Sequence, residues 1–299
     1  MEATWRWVLV TAIAPVTWGT NYFVIHEYLP AGHPLWGAVL RALPAGLLLL
    51  AVGRRLPTGS WWWRSAVLGA LNMGAFFALI YVSAQLLPTS VASTIMASSP
   101  VVMMLIAWAM LRERPALPAC AGAVLGVAGV YLMLFSGLTA VNLWGVASSV
   151  TAMLLSSLGY VLAKKWGDGT SVLASTSWQL IAGGLVLVPF AVVAEGAPPA
   201  LDGPAVAGFA YVTVVATAVA FAAWFAGLKH LRAGTVGLVG LLNPVTGVLL
   251  GTLVAAEALT VRQGAGLALV LVGILLGRPA TRPPRVPAET GAAPAPCAR

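Results

Sequence analysis

The chain has 299 residues, of which 60% are hydrophobic and only 8% are charged. A soluble domain carries about 25% charged residues, so this composition excludes a water-soluble protein and predicts one whose surface faces lipid. The formal net charge of +8 does not indicate nucleic-acid binding, because the basic residues stand singly or in pairs between apolar runs.

Apolar runs long enough to cross a membrane follow one another along the chain. A helix needs about 20 residues to span the hydrocarbon core of a bilayer. Charges, prolines and glycines divide the chain into ten such runs, at roughly 5–26, 34–52, 65–87, 90–111, 118–135, 142–164, 171–193, 204–228, 234–254 and 261–277. We therefore predict an all-α integral membrane protein with ten transmembrane helices. The tail over 278–299 is rich in Pro and Ala and is predicted to be disordered.

Charged residues in the loops predict the orientation, because Lys and Arg in short loops stay on the cytoplasmic side. They follow the even-numbered predicted helices, at Arg54, Arg55, Arg64, Arg112, Arg114, Lys164, Lys165, Lys229 and Arg232. The alternate loops carry mainly acids and histidines. Both termini are therefore predicted to be cytoplasmic, in a multi-pass protein of the cell (plasma) membrane.

The sequence also repeats itself at an offset of 144 positions, since SPVVMMLIAWAMLRE over 99–113 is echoed by NPVTGVLLGTLVAAE over 243–257. Matching residues include Pro100 and Pro244, Glu113 and Glu257, Gly122 and Gly266, and Gly129 and Gly273. Each copy, 5–135 and 142–277, contains five predicted helices. Because five is odd, the second copy is predicted to lie inverted in the membrane, a recurring design of secondary transporters.

Several stretches resemble the EamA-type members of the drug/metabolite transporter superfamily. They are WGTN over 18–21, His33-Pro34 with Arg41, the repeated stretches above, and residues 222–243, which contain WFAGLKHLRAGTVGLVGLLN. The resemblance covers about 12–277 as two tandem units. It implies a ten-helix transporter of small organic solutes, with a central cavity lined mainly by helices 1, 3, 4, 6, 8 and 9. The second unit departs from the first, because it carries Gln179 and no basic residue equivalent to Arg41.

Polar and aromatic residues within the predicted helices are the candidates for a cavity lining. Polar side chains in a membrane span tend to face the bundle interior, and apolar pockets with a few polar groups suit small organic ligands. Helix packing is the alternative role for each of them. The candidates are Trp18, Asn21, Tyr22, Arg41, Asn72, Tyr81, Thr94, Ser99, Pro100, Tyr160, Gln179, Trp224, Asn243 and Pro244.

Arg41 is the one strong charge well inside a predicted span, where a cation costs at least ~2.5 kcal/mol on insertion scales. Three roles are open to it: binding a substrate carboxylate, extending outward to water, or pairing with Glu27. Pro100 and Pro244 each free a backbone carbonyl, which in lipid must face protein, water or ligand. Their matched positions indicate either a site near the membrane midplane or a structural kink.

No acid lies in the middle of a predicted helix. We therefore predict no carboxylate-based proton coupling in the membrane core, and facilitated diffusion or exchange as the mechanism. Glu113 and Glu257 end their helices, where an acid is unfavourable. Each is predicted to turn to the N-terminus of the next helix in a structural or gating role, with Arg112 or Arg114 near the first.

Together these features predict a secondary transporter, an exporter, of a small organic metabolite such as an amino acid, working by alternating access. The alternative is a membrane channel or a non-transporting membrane sensor. No enzyme is predicted, because HExxH, GxSxG and Cys/His clusters are missing, and neither a cofactor nor a metal site is expected. The predicted partners are the substrate and the lipid bilayer. The small-residue face at Gly122, Gly126 and Gly129 predicts close helix packing, and it also leaves a homodimer open.

Overall fold

The computed structural model describes residues 2–28, 32–87, 89–134, 142–167, 169–254 and 260–277. Within these ranges the secondary structure is helical and contains no strand, which confirms the all-α class. The helices are α1 (Glu2–Tyr28), α2 (Pro34–Gly53), α3 (Trp61–Gly69), α4 (Ala75–Leu86), α5 (Thr89–Ala97), α6 (Ser99–Leu111), α7 (Leu117–Leu134), α8 (Leu143–Trp166), α9 (Val172–Glu195), α10 (Gly203–Thr213), α11 (Ala220–His230), α12 (Ala233–Gly240), α13 (Leu242–Val254) and α14 (Val261–Leu276).

Two of the long helices contain a π-helical segment. Ala70–Gly74 joins α3 to α4, and Val214–Val219 joins α10 to α11. Two other pairs are separated by a single residue, Ser98 between α5 and α6 and Leu241 between α12 and α13. The break at Ser98 comes two residues before Pro100, and the break at Leu241 comes three residues before Pro244. A proline has no backbone N–H, so it cannot donate the hydrogen bond that would continue the preceding turn.

Seven helical stretches are long and apolar enough to cross a membrane. They are Pro34–Gly53, Trp61–Ile80, Leu117–Leu134, Leu143–Trp166, Val172–Glu195, Gly203–His230 and Ala233–Leu250. Ser99–Leu111 and Val261–Leu276 are apolar but shorter. The chain is therefore a multi-pass membrane protein, and the count of ten spans stays a prediction.

Helices α7 and α14 pack closely along their length through glycines. A Cβ atom added to Gly129 would lie 2.6 Å from the carbonyl oxygen of Gly266, and one added to Gly122 would collide with the carbonyl of Gly273. Gly122 lies early in α7 and Gly273 late in α14, so the two helices run antiparallel. The small-residue face that the sequence offered for a homodimer is thus covered within the chain.

Helices α2 and α9 form a second antiparallel pair. The Glu195 carboxylate at the end of α9 accepts hydrogen bonds from the backbone N–H groups of Leu35 (2.7 Å) and Trp36 (2.9 Å). It therefore supplies the acceptor for the N-terminus of α2, where His33 provides no side-chain cap. At the other end of this pair, Trp178 Nε1 donates to the carbonyl of Arg55 at 2.8 Å.

Basic residues gather at one end of the helix bundle. Lys164 contacts both Glu113 and Leu231, and Lys229 Nζ donates to the carbonyl of Thr170 at 3.3 Å. These contacts bring together the ends of α6, α8 and α11 and the start of α9, which we call the basic end. The principal apolar core lies next to it, where α1, α8, α9 and α11 meet around Leu180 and Leu228.

Candidate functional site

Aromatic rings from three helices meet beside the midpoint of α1. The ring of Trp18 lies 5.1 Å from Phe221 and 5.2 Å from Trp224, and Tyr160 lies 5.4 Å from Trp224 and 6.0 Å from Phe225, measured between centroids. Separations of this size are typical of favourable tilted and edge-to-face pairs. We call these five residues the aromatic cluster. Its members come from α1, α8 and α11, which correspond to three of the helices that the family resemblance implies line a central cavity.

Two buried polar atoms, one in the aromatic cluster and one a turn away along α1, have no hydrogen-bond partner among the described residues. They are the indole Nε1 of Trp224, in a residue only 3% exposed, and Oδ1 of Asn21, one turn beyond Trp18 in α1. Buried polar groups are nearly always hydrogen-bonded, by water or ligand where protein does not serve. A donor and an acceptor are therefore available here to a bound solute.

Arg41 is held by the π-helical segment between α10 and α11. Its Nε donates to Thr217 Oγ1 at 2.9 Å, and one Nη donates to the carbonyl of Ala216 at 3.1 Å. Its guanidinium carbon also lies 5.4 Å from the centroid of the Phe77 ring, within cation–π range. These bonds use two of its five N–H groups. No described carboxylate pairs with Arg41, and the side chain of Glu27 lies outside the described residues.

The carbonyl of Ala216 connects Arg41 to the aromatic cluster. It also accepts a hydrogen bond from Trp18 Nε1 at 3.1 Å. A π turn displaces backbone carbonyls from the regular helical ladder, and such turns are frequent at functional sites. One carbonyl thereby fixes side chains from both α1 and α2.

A second polar group occupies the other π-helical segment. Asn72 Nδ2 donates to Gln179 Oε1 at 3.0 Å, and Gln179 Nε2 donates to the carbonyl of Ser175 at 3.1 Å. Asn72 and Gln179 are completely or almost completely buried, and Asn72 Oδ1 has no hydrogen-bond partner among the described residues. The atom Oδ1 faces Gly159 of α8, where an added Cβ would collide with it.

The remaining predicted cavity residues are distributed around this region. Pro100 is buried against Gly237 of α12, and the backbone carbonyl of Asn243 lies against Gly19 of α1, beside Trp18. Ser99 and Pro244 are partly buried at the starts of α6 and α13. The side chains of Tyr22 and Tyr81, and the whole of Glu257, lie outside the described residues.

Thr94 lies elsewhere, in a groove of about 750 Å³ on the outer surface of the bundle. Its neighbours there are almost all apolar and include Val101 and Val124, both exposed in this structure. The structure therefore separates Thr94 from the aromatic cluster with which the sequence grouped it.

The side chain of Glu113, which follows α6, contacts the second half of the chain at the basic end. Its Oε1 lies 2.5 Å from Lys164 Nζ, and its Oε2 accepts a hydrogen bond from the backbone N–H of Ala233 at 3.0 Å. The sequence predicted the N-terminus of the next helix, α7, with Arg112 or Arg114 nearby. The carboxylate instead caps α12 and pairs with Lys164. Arg112 ends α6 in a left-handed conformation (φ 57°), so the chain turns back immediately before Glu113.

A pocket of about 130 Å³ opens at the basic end, between the end of α8, the start of α9 and the end of α11. It is lined by Lys164 and Lys229, and its inner wall includes Gln179. Sequence reasoning used both lysines only to predict orientation. It also passed over Gly159 and Ala216, since a glycine or alanine in an apolar run gives no signal of a contact with a polar side chain.

A bundle of long apolar helices, several of them long enough to cross a membrane, is typical of multi-pass transmembrane proteins. Within that class, the chain matches the EamA-like transporter family over residues 5–135 and 143–277, and it belongs to that family. This confirms the resemblance seen in the sequence.

Two relatives and one solved structure illustrate the range of similarity. Protein PecM of Dickeya dadantii is 34% identical, over 88% of this chain and 89% of that protein. The uncharacterized inner membrane transporter YedA of Escherichia coli is 24% identical, over 87% of each chain. A crystal structure with 17% sequence identity has a TM-score of 0.79, over 91% of this chain and 96% of the other, so the two share their fold.

Proposed function

We propose that the protein is a secondary transporter, an exporter, of a small organic metabolite such as an amino acid. It works by alternating access between two inverted five-helix repeats, 5–135 and 142–277, in ten transmembrane helices of the cell membrane. The basic end and both termini face the cytoplasm, following the loop charges.

One observation carries this proposal: the helices break at corresponding places in the two repeats. The π-helical segments begin at Ala70 and Val214, which are 144 positions apart, and the breaks at Ser98 and Leu241 precede Pro100 and Pro244. Broken helices at corresponding positions of inverted repeats are where secondary transporters bind their substrates.

The glycine contacts support the inversion of the repeats. The pairs Gly122–Gly273 and Gly129–Gly266 exchange with each other when every residue is moved by 144 positions. A twofold axis in the membrane plane would relate α7 to α14 and would exchange these two glycine pairs.

The aromatic cluster, together with Asn21 and Arg41, is the proposed substrate site, because both repeats contribute to it. Trp18, Asn21 and Arg41 come from the first repeat, and the other four aromatic residues come from the second. A solute between these rings would accept a hydrogen bond from Trp224 Nε1 and donate one to Asn21 Oδ1. Separating the rings requires the repeats to move relative to each other.

Two polar contacts between the repeats lie at different depths. At the basic end Glu113 binds Lys164, and at the level of the site, between Trp18 and Asn21 along α1, the hydroxyl groups of Thr20 and Tyr211 share a hydrogen bond of 2.7 Å. We assign these two contacts as gates that open alternately. Exchange or facilitated diffusion needs no titrating acid between them.

Counterflow into proteoliposomes tests the function once a thermal-stability screen of purified protein has found a binding solute. We expect labelled solute to accumulate transiently when the vesicles are preloaded with unlabelled solute. Trp224→Phe removes the free indole donor and should weaken solute binding about tenfold, whereas Trp108→Phe, at an exposed residue, should not. Flux without counterflow would indicate a channel, and binding without flux a sensor; either result contradicts the proposal.

A further inference from the structure

Lysines supply the charge among the described residues that line the pocket at the basic end. Two of these ten residues are lysines and none of the ten is an acid, while Asp168, between Gly167 and Gly169, lies outside the described residues. Lys229 is exposed, and its ammonium group makes one long hydrogen bond, to the carbonyl of Thr170. Its charge is therefore compensated by a single neutral acceptor among the described residues.

The first turn of α9 adds to this positive field. The pocket is lined by Val172 and Ser175 from that turn. The N-cap residue Ser171 makes no side-chain capping bond, and the first turn contains no acid. The N-terminus of a helix of 24 residues therefore presents N–H groups that no described side chain caps, and a partial positive charge, beside the two lysines.

The second lysine of the pocket belongs to the proposed gate. Lys164 lines the pocket and at the same time holds Glu113, its carboxylate partner at 2.5 Å. Glu113 is the one first-repeat residue in this contact, since Lys164, Leu231 and Ala233 all belong to the second repeat. An anion in the pocket would therefore lie next to the charge that keeps the gate closed.

We propose that this pocket binds the anionic group of a small organic anion, between Lys164, Lys229 and the first turn of α9, and that the bound anion competes with Glu113 for Lys164. Competition loosens the contact between the repeats on the side from which the anion enters. The effect of the anion on the gate rests on the proposed transport function. The pocket assigns the transported substrate to the class of small organic oxyanions. A volume of about 130 Å³ accommodates a carboxylate or phosphate group but not a large molecule.

Binding of succinate to the purified full-length protein tests the site, with neutral succinamide as the matched ligand. We expect saturable binding of succinate and none of succinamide. Lys229→Gln should weaken succinate binding at least about tenfold, and Lys229→Arg should retain it, because one charge-assisted contact is lost only in the first. Lys165→Gln is the control, since Lys165 is exposed and outside the pocket and the charge change is identical.

Competition gives a second readout that a merely structural ion pair would not produce. Glu113→Gln releases Lys164 and should tighten succinate binding several-fold. Should that variant fail to fold, Glu113→Asp, which keeps the charge and shortens its reach, should act in the same direction. Equal affinity in wild type and in either Glu113 variant, or equal affinity in Lys229→Gln and Lys165→Gln, would overturn the proposal.

Failure of this inference can be told apart from failure of the transport function. If a neutral or cationic solute shows counterflow while succinate does not bind, the transporter stands and the anion site falls. If succinate binds with the expected variant effects but no solute shows counterflow, the site stands and the transport function falls.

Discussion

Arg41 illustrates how a single charged residue is accommodated inside a membrane bundle. An unpaired cation in lipid is costly, and its usual partner is a carboxylate. Here the described partners are all neutral: Thr217 Oγ1, the Ala216 carbonyl and the face of the Phe77 ring. The π-helical segment contributes to this, because it holds both the Thr217 hydroxyl and the Ala216 carbonyl that accept from the guanidinium. The guanidinium therefore links α2 to the second repeat.

Replacing Arg41 should show this linking role. Arg41→Ala removes two hydrogen bonds that a charged group donates, and it should lower the free energy of unfolding by about 2–4 kcal/mol. Arg41→Lys keeps the charge but has no planar fork, so it should lose less. Arg114→Ala, at an exposed arginine, is the control for thermal unfolding in detergent. Equal stability of Arg41→Ala and Arg114→Ala would contradict the role.

At the scale of helices, close packing depends on the absence of side chains where α7 and α14 cross. Lipid provides no hydrophobic drive for helices to associate, so contact between backbones at small residues holds such pairs together. Gly122 faces the backbone of Gly273 directly, and backbone atoms cannot move aside as the end of a flexible side chain can.

Gly122→Ala should therefore push α7 and α14 apart and destabilise the protein by about 1–3 kcal/mol. Gly264→Ala is the matched control in α14, because nothing lies within 4 Å of an added Cβ there. That control should be neutral or slightly stabilising, since alanine favours a helix by about 1 kcal/mol over glycine. Thermal unfolding of both variants in one detergent would measure the difference, and no difference would contradict the packing role of Gly122.

Helix positions could be predicted well from the sequence, because the length of an apolar run is a strong signal. The runs at 34–52 and 171–193 correspond to Pro34–Gly53 and Val172–Glu195. The start of α3 was predicted four residues late, because the charge of Arg64 placed that residue in the loop before the apolar run. In the structure the guanidinium of Arg64 is covered by the rings of Trp61, Trp63 and Trp166, at 5.6–5.9 Å, so the helix continues through it.

The breaks within helices, and with them much of the candidate site, were only partly predictable. Pro100 and Pro244 indicated two of the four. The π-helical segments at Ala70–Gly74 and Val214–Val219 contain no proline, and the bonds that use them reach side chains distant in sequence. Which aromatic residues meet also depends on helix rotation. Trp18, Tyr160 and Trp224 were therefore predicted as candidates, but not as neighbours.

At the scale of the whole molecule, polar contacts between described residues join the first repeat to the second at several places. The Glu113–Lys164 pair is one of them, and both side chains are less than one-fifth exposed. A partly buried pair that also caps α12 is expected to stabilise the contact more than a pair on the surface does.

A double-mutant cycle measures that contribution. Glu113→Gln and Lys164→Gln should each destabilise the protein, and the double variant should lose less than the sum, with a coupling of about 1–3 kcal/mol in thermal unfolding. Lys165→Gln combined with Glu113→Gln provides the control cycle, for which we expect additive effects. Additivity in the Lys164 cycle would contradict a linked pair.

Alternating access is tested most directly by locking each gate in turn. The background variant has Cys120 and Cys297 replaced by serine. One double variant carries Thr20→Cys with Tyr211→Cys, and a second carries Glu113→Cys with Lys164→Cys. In each, a short thiol-cleavable crosslinker joins the two new cysteines in proteoliposomes. Because both gates must open in every cycle, either lock alone should abolish counterflow, and thiol reduction should restore it. Counterflow that persists with either crosslink fully formed would contradict alternating access between the two repeats.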